Sequence, residues 1–376
     1  MTPIVLPGST IGVLGSGQLG RMFTLAARRL GYRVHVYSPD DDTPAGQVAD
    51  QEVRSLYSNL DAVADFARQV DVVTFEFENV PPDTIEIVNA IAPVHPAGHV
   101  LYTTQHRIRE KSFLRSLGIP VTPFRAIRSW EELRNQGKDD LPGILKTAAW
   151  GYDGKGQVKV QTQQDLESAW AGLKCDEAVL ERFVDFDAEL SIVAARGRDG
   201  SVAFYGPFNN MHANHILDAS TTPSKLPQAI IDDAIDIARA ILTEFELIGV
   251  LCVEFFLTTD GKLLVNELAP RPHNSGHLTI DAHATCQFEQ QVRAVCGLPL
   301  GAATQLRPAA MVNLLGEVWR RGEPSWAKAL AVKELKLHLY GKRETRVGRK
   351  MGHLTALADS PSDALEIALT ARRSLC

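Results

Sequence analysis

The sequence predicts a mixed α/β and α+β chain in three parts. Residues 1–103 form an α/β start, residues 104–300 a central α+β body, and residues 301–376 a small β-rich unit. Three observations lead there. Strand and helix patterns alternate through residues 10–100, two Asp-Gly turns fold later apolar runs into hairpins, and the tail breaks into short strands before one last helix.

The first unit reads as βαβαβ. "TIGVLG" is a strand, Gln18–Leu30 a helix closed by Gly31, "RVHVYS" a strand, Leu60–Gln69 a helix and "DVVTFEF" a strand. Pro81-Pro82 open a further short helix, since proline is tolerated in a first turn. The pattern implies a parallel sheet with helices on both faces. Residues 104–117 read as one basic helix, stopped at Leu117-Gly118-Ile119-Pro120 by glycine and nearby proline. In the central body, "GILKTA" and "QVKVQ" flank the glycine-rich "WGYDGKG", and "AVLERFV" is strand-like. "ELSIVAARGRDGSVAFYG" is a hairpin turning at Asp199-Gly200, and the residues after it are a poorly patterned loop. A helical period covers roughly residues 225–245, and "GVLCVEFFLTTDGKLLVNELAPR" turns at Asp260-Gly261. The tail holds "AAMVNLLGE", "LKLHLYG" and "GHLTALA" as short strands and a helix near 361–373.

Composition narrows the function. An apolar content of 45% and a charged content of 22% are ordinary for a soluble globular protein. The net charge of −6, with no long basic run, argues against nucleic acid as a partner. No stretch approaches the roughly 18 apolar residues of a membrane span, and "MTPIVLPGST" lacks the basic start of a signal peptide. The five scattered cysteines contain no C-x-x-C pair, so reduced thiols in a cytoplasmic protein are expected.

Gly15, Gly17 and Gly20 stand in the G-x-G-x-x-G spacing of a dinucleotide loop. An NAD site also wants an acidic residue at the end of the second strand, and in "VHVYSPDDD" Asp40 comes two residues late. NAD-dependent oxidoreduction is therefore set aside. The loop is left to receive an anion at the helix N-terminus or to present Gln18 to a substrate. Between "GILKTA" and "QVKVQ", glycines 151, 154 and 156 make a flap whose N–H groups can wrap phosphate, with Lys146 and Lys155 to neutralise charge. Tyr152 and Asp153 within it suit a lid over reactants.

A two-residue turn at Asp260-Gly261 puts Glu254 directly across from Glu267, with Cβ atoms about 5 Å apart. Two facing carboxylates among apolar residues repel unless one is protonated or a hard cation joins them, and Mg²⁺ joins carboxylates to nucleotide phosphates. Asn266 is adjacent, although strict alternation points it to the other face. "APRPHNSGH" then crowds Arg271, His273, Asn274, Ser275 and His277 into one loop. Its prolines exclude the helical i, i+4 facing that a His273/His277 zinc site would want, so it reads as a substrate site. Lys342, Arg343, Arg346, Arg349 and Lys350 add a basic cluster suited to a substrate phosphate.

"GSGQLGRM", "FEFENVP", "GYDGKGQ", "NELAPRPHNSGH" and "GRKMGHL" occur in order over essentially the whole chain. Through them the sequence resembles the ATP-grasp superfamily and, within it, the N5-carboxyaminoimidazole ribonucleotide synthetase family. The resemblance implies an ATP-grasp fold: an N-terminal Rossmann-like pre-ATP-grasp domain, central ATP-grasp lobes and a small C-terminal β-rich domain, commonly as a homodimer. It implies an ATP-dependent carbon–nitrogen ligase of purine biosynthesis that converts 5-aminoimidazole ribonucleotide, bicarbonate and ATP through carboxyphosphate. ATP would meet Arg107, Lys146, Gly151, Tyr152, Asp153, Gly154, Lys155, Gly156, Gln157, Glu189, His212, Asn266 and Glu267. The hinge Glu181, Arg182, Phe183 and Val184 would read adenine through its backbone. Glu254 and Glu267 would hold Mg²⁺, and Tyr152, Asp153, Arg271, His273 and Asn274 would carry the chemistry. Gln18, Leu19, Glu76 and Asn79 would hold the aminoimidazole end, and Lys342, Arg349 and Lys350 its phosphate. The nearest rival is the formate-using enzyme of the same superfamily that acts on glycinamide ribonucleotide, which typically carries glutamate at the position of Gln18.

Overall fold

The computed structural model describes residues 3–149 and 156–375. Its N-terminal unit is the expected parallel sheet. β1 (Thr10–Leu14), β2 (Arg33–Ser38), β3 (Gln51–Arg54) and β4 (Val72–Phe75) lie in the order β3-β2-β1-β4. Helices α1 (Gln18–Arg29) and α2 (Leu60–Ala67) connect them, and α3 (Pro82–Asn89) follows β4. Ile11 and Val13 pack with Phe23 and Ala27 in one core, while Leu14 packs with Phe66 and Phe75 in another. Both faces of the sheet are therefore covered, as a parallel sheet requires. The short edge strand β3, with a single apolar residue in "QEVR", lies outside the βαβαβ pattern read from the sequence.

The basic helix expected over 104–117 is broken in two. α4 (Gly98–Thr104) ends before His106, whose extended backbone starts α5 (Arg107–Ser116). The break arises because His106 bridges Ala149 and the Arg107 N–H is taken by Ala148 O at 2.7 Å. Tertiary pairing thus overrides the helical pattern and sets Arg107 at a helix start.

A four-stranded antiparallel sheet follows, in the order β5-β8-β6-β7: β5 (Phe124–Ile127), β6 (Gly143–Thr147), β7 (Gln157–Val160) and β8 (Ala178–Arg182). Helices α6 (Trp130–Gln136) and α7 (Asp165–Leu173) back it through Leu133, Leu166 and Ala169.

The largest sheet joins the central and C-terminal units. β9 (Phe186–Arg196), β10 (Val202–Ala213), β11 (Ile216–Thr222), β12 (Gly249–Thr258), β13 (Leu263–Ala269), β14 (Ala309–Leu315), β15 (Leu335–Leu339) and β16 (Lys350–Leu357) run in the order β13-β12-β9-β10-β11-β14-β16-β15. The tail strands are therefore hydrogen-bonded into the central sheet, Thr222 pairing Ala309. α8 (Gln228–Glu244) covers β9 and β12 with Ala234, Ala238, Ile241 and Leu242. α9 (Thr279–Ala282) and α10 (Gln287–Cys296) fill the junction with the N-terminal unit, Phe288 and Val292 packing beside Phe23. α11 (Trp326–Leu330) precedes β15. α12 (Pro361–Arg373) starts at Ser360, whose hydroxyl accepts the Asp363 N–H, and lays Ala364, Ala368 and Ala371 on the last strands. Among the described residues, no helix is long and apolar enough to cross a membrane.

Candidate active site

Three neighbourhoods meet at one end of the large sheet. The first is the glycine loop. β1 ends at Leu14, and Gly15 turns the chain at φ +102°. A Cβ at Gly15 would lie 2.4 Å from the Cγ of Glu76, so only glycine lets that side chain pass. The Glu76 carboxylate accepts the N–H of Gly17 and, at 2.6 Å, that of Gly20, the first groups of α1. This corrects the expectation that the loop waits for an external anion. The helix N-terminus already holds one from its own chain, where a dinucleotide pyrophosphate would sit. Burial raises the Glu76 pKa, opposed by the two N–H groups and by Lys342 and Arg271.

Beside Glu76 opens a cavity of about 720 Å³. Gln18 and Glu76 line it from the N-terminal unit, and Lys342, Arg343, Arg346 and Arg349 from the loop between β15 and β16. That basic loop is tied across the cleft: Gln47 Nε2 donates to Gly341 O at 2.9 Å, and Arg343 pairs with Asp42. Of the residues expected to hold the ribonucleotide, Gln18, Glu76, Lys342 and Arg349 share this cavity. Leu19 instead packs partly buried against the core of α1, Asn79 is half-buried off the cavity wall, and the Lys350 carbonyl accepts Lys342 Nζ at 2.8 Å.

The second neighbourhood is the carboxylate pair. Glu254 and Glu267 do face each other, but not through the turn expected. Leu257 pairs Leu263 and Thr258 N–H donates to Lys262 O, so the loop has three residues and its register alone would set Asn266 opposite Glu254. A bulge between Val265 and Glu267 restores the pairing, placing Asn266 and Glu267 against the single Glu254 position. Strict alternation at Asn266 is lifted for the same reason.

His273 Nε2 meets Glu254 Oε1 at 2.9 Å, while its Nδ1 and Ser275 Oγ are 2.9 Å apart. Gln287 Oε1 accepts the His273 N–H at 2.8 Å and fixes the loop. Burial would raise the Glu254 pKa, yet the charge and hydrogen bond of His273 hold it below the usual range. Glu267 is raised, by burial and then by the charge of Glu254, while Arg107, Lys146 and His273 pull the other way. Burial opposes a charge on His273, and Cys252 and Glu254 outweigh it. Arg271 Nη2 pairs with Glu78 Oε1 at 2.7 Å. Asn274 is 8% exposed, and neither atom of its amide finds a partner among the described residues. His277 joins this cluster at its back, through Gln287, whose Nε2 lies 3.2 Å from His277 Nδ1. It lies buried against the rings of Phe288, Tyr340 and His353.

The carboxylate pair meets the requirements of Mg²⁺, which takes one or two carboxylates and draws its remaining oxygens from phosphates and water. Among the described residues, no group of three acidic, histidine or cysteine side chains forms a metal cage of its own.

The third neighbourhood lies toward β6 and β8. Lys146 Nζ donates to Glu181 Oε2 at 2.7 Å, and Lys111 Nζ pairs with Glu181 Oε1 at 3.1 Å. Burial alone would raise the Glu181 pKa, and the two lysines bring it down to about 2. The side chain of Glu181 thus has a task of its own beyond any backbone role. Arg107 reaches Thr147 O at 3.3 Å through Nη1. Glu189 pairs with His212, which stands on β10 at a register shift rather than in a loop, because β9 and β11 flank it. Arg182 reaches Asp140, Phe183 is 39% exposed and Val184 half-buried along the rim. Gln157 pairs Lys146, and Gly156 O accepts the Thr147 N–H at 2.8 Å. Gly151, Tyr152, Asp153, Gly154 and Lys155 lie outside the described residues.

Three participants escaped sequence reasoning: Glu78, Lys111 and Glu110, whose Oε2 accepts the Leu268 N–H at 3.1 Å. A signal existed for the first two. Glu78 sits inside "FEFENVP", and Lys111 falls one helical turn after Arg107 and so shares its face.

Comparisons with known proteins agree along the chain. Residues 8–105 match the ribonucleotide synthetase preATP-grasp domain, residues 112–288 the ATP-grasp domain, and residues 309–367 the phosphoribosylaminoimidazole carboxylase C-terminal domain. A Bacillus subtilis N5-carboxyaminoimidazole ribonucleotide synthase is 42% identical over 94% of this chain and 92% of its own. A Dictyostelium discoideum bifunctional purine synthesis protein is also 42% identical over 94% of the chain, which spans only 37% of that longer protein. The crystal structure of an ADP complex of an N5-carboxyaminoimidazole ribonucleotide synthetase superposes with a TM-score of 0.93, at 40% identity, over 99% of this chain and 98% of its own.

Proposed function

The chain belongs to the N5-carboxyaminoimidazole ribonucleotide synthase family, and from that premise we propose how its residues divide the work. The enzyme is an ATP-dependent ligase of purine biosynthesis that carboxylates 5-aminoimidazole ribonucleotide to its N5-carboxy derivative, with bicarbonate as carbon source. Bicarbonate takes the γ-phosphoryl group to give carboxyphosphate and ADP. The exocyclic amine of the ribonucleotide then takes up the carboxyl group, and phosphate leaves.

Arg107 and Lys146 receive the phosphates of ATP, and the strap from Gly151 to Gln157 closes over them. Glu189 holds the ribose, oriented by His212, and the rim Glu181 to Val184 meets the base. Glu254 and Glu267 hold Mg²⁺, which supplies charge neutralisation for phosphoryl transfer when bound. His273, fixed by Ser275 and Gln287, keeps Glu254 ionised and in place. Arg271, Tyr152 and the amide of Asn274, which finds no partner among the described residues, offer donors to bicarbonate or carboxyphosphate, and Asp153 stands beside them as an acceptor. Gln18 and the loop held by Glu76 meet the aminoimidazole, and Lys342, Arg349 and Lys350 its phosphate. The units 1–103, 104–300 and 301–376 supply ribonucleotide, nucleotide and phosphate contacts respectively. Two copies acting as a homodimer in the cytoplasm complete the reading, on the family's precedent.

The observation that carries it is the facing pair Glu254 and Glu267, with His273 on Glu254 and the charges of Arg107, Lys146 and His273 acting on Glu267. The test is phosphate release from ATP with each ribonucleotide. Aminoimidazole ribonucleotide with bicarbonate supports turnover, and glycinamide ribonucleotide with formate does not. The opposite result would assign the formate-using chemistry instead.

A further inference from the structure

β13 is the edge strand of the large sheet, and among the described residues its outward side meets only a single bridge, Val265 to Val121, with the Val265 N–H donating to Pro120 O at 2.8 Å. Two consecutive residues of α5 take up two of its other backbone groups. Lys111, 1% exposed, donates from Nζ to Asn266 O at 3.0 Å. Glu110, 3% exposed, accepts the Leu268 N–H on Oε2 at 3.1 Å. Asn266 C=O belongs to the peptide plane before the Glu267 Cα, and Leu268 N–H to the plane after it. Since peptide units are planar, the two planes together define the backbone dihedrals of Glu267.

The bulge makes this matter. On a regular ladder the register from the turn would carry through, and hydrogen bonds to β12 would suffice to aim each side chain. Here the ladder is interrupted next to Glu267, where a bulged strand has freedom to relax. The Val121 bridge holds the strand at Val265, before the bulge, and the groups that take the two peptide planes flanking Glu267 come from α5. Lys111 is itself pinned by Glu181 at 3.1 Å, and Glu181 also holds Lys146.

We propose that Glu110 and Lys111 are positioning residues that clamp the β13 bulge from both sides and so set the Glu267 carboxylate for the metal. The inference rests on the reading of Glu254 and Glu267 as the metal pair. Neither α5 side chain touches the reactants. They act through the backbone of the residue that does, which also links the aim of Glu267 to the Glu181 that holds Lys146.

The test measures Mn²⁺, standing in for Mg²⁺, by electron paramagnetic resonance on the full chain with ADP present. Binding of ADP without metal is followed by calorimetry, and folding by thermal melting. Glu110→Met keeps the volume and removes the acceptor, and should weaken Mn²⁺ at least tenfold while metal-free ADP binding stays within threefold. Glu110→Gln retains an acceptor oxygen and should restore Mn²⁺ affinity to within threefold of the native protein. Lys111→Met should also lose at least tenfold in Mn²⁺, with some change in ADP because Glu181 then has one lysine fewer. Glu267→Gln is the control. If it loses Mn²⁺ while Glu110→Met and Lys111→Met stay within twofold of native, the clamp is refuted and the metal pair stands. If Glu267→Gln keeps Mn²⁺, the metal reading falls and takes the clamp with it. Failure of both Met variants to fold would make the pair structural only and overturn the proposal.

Discussion

Replacing Gly15 by alanine tests how tightly the glycine loop is closed over Glu76. The new Cβ would sit 2.4 Å from Glu76 Cγ and 2.8 Å from Phe77 Cδ1, well inside contact distance. The backbone there has φ +102°, which costs an L-residue about 1–2 kcal/mol on its own. Relief of the overlap requires Glu76 to move away from Gly17 N–H and Gly20 N–H, or the strand ends to part, and such overpacking costs typically about 1–3 kcal/mol. The sum is about 3 kcal/mol. For a chain of 376 residues the unfolding entropy is about 0.8 kcal/mol/K, so the melting temperature should fall by about 4 °C. Gly118→Ala separates the two contributions: φ is +71° with nothing within 4 Å of the added carbon, so only the backbone strain remains. Differential scanning calorimetry should therefore find Gly15→Ala clearly less stable than Gly118→Ala. Steady-state assays should find its KM for aminoimidazole ribonucleotide raised at least tenfold and that for ATP within twofold. Equal stability of the two variants, with unchanged KM, would refute the close packing of Glu76 into the loop.

Three further outcomes are expected. Gln18→Glu puts a carboxylate beside a neutral conjugated amine in the cavity, a loss of about 2 kcal/mol, and should raise the KM for aminoimidazole ribonucleotide more than tenfold while ATP binding holds; an unchanged KM would remove Gln18 from the substrate site. Glu254→Gln or Glu267→Gln should cut turnover by orders of magnitude with the fold largely kept, and near-normal turnover of Glu267→Gln at saturating Mg²⁺ would contradict the paired-carboxylate reading. Stability should also fall on acidification. His277 and His353 are held well below the ordinary histidine range by burial, and His283 down to about 4. Because they stay neutral in the fold and gain a proton on unfolding, stability is complete above about pH 6.5 and declines below it; a histidine shifted as far as His283 withdraws about 2 kcal/mol by pH 5. Melting temperatures from pH 7.5 to 5 should decline more shallowly in His283→Phe, and parallel curves would show that this group does not contribute.

Elements with a clean local period were legible in the sequence. The last helix α12, α8 with its helical period and the parallel start of the chain all lie where their patterns put them. The facing of Glu254 and Glu267 was also legible, but by a route that the structure replaces. The turn is one residue longer than its Asp-Gly signature indicates, and a bulge cancels the slip. Nothing in "LLVNEL" announces that bulge, since its supports come from α5, more than 150 positions away. The break at His106 was hidden for a similar reason: the segment is basic and helical in pattern, and only the bridge to Ala149 stops it.

By itself, then, the sequence determined the strands, helices and turns that carry a clean local period, and which residue types are available for phosphate, metal and amine. Those properties depend on backbone sterics and on apolar periodicity within a few residues, so they can be read along the chain. Tertiary structure decided which groups meet. Glu76 fills the helix N-terminus that the glycine motif leaves open, and Arg271 takes Glu78 from another unit. Glu181 binds two lysines instead of standing only as a strand residue. Each is a contact between segments far apart in sequence, bought by burial of the cores around it, and a buried charge must find its partner wherever the packing brings one.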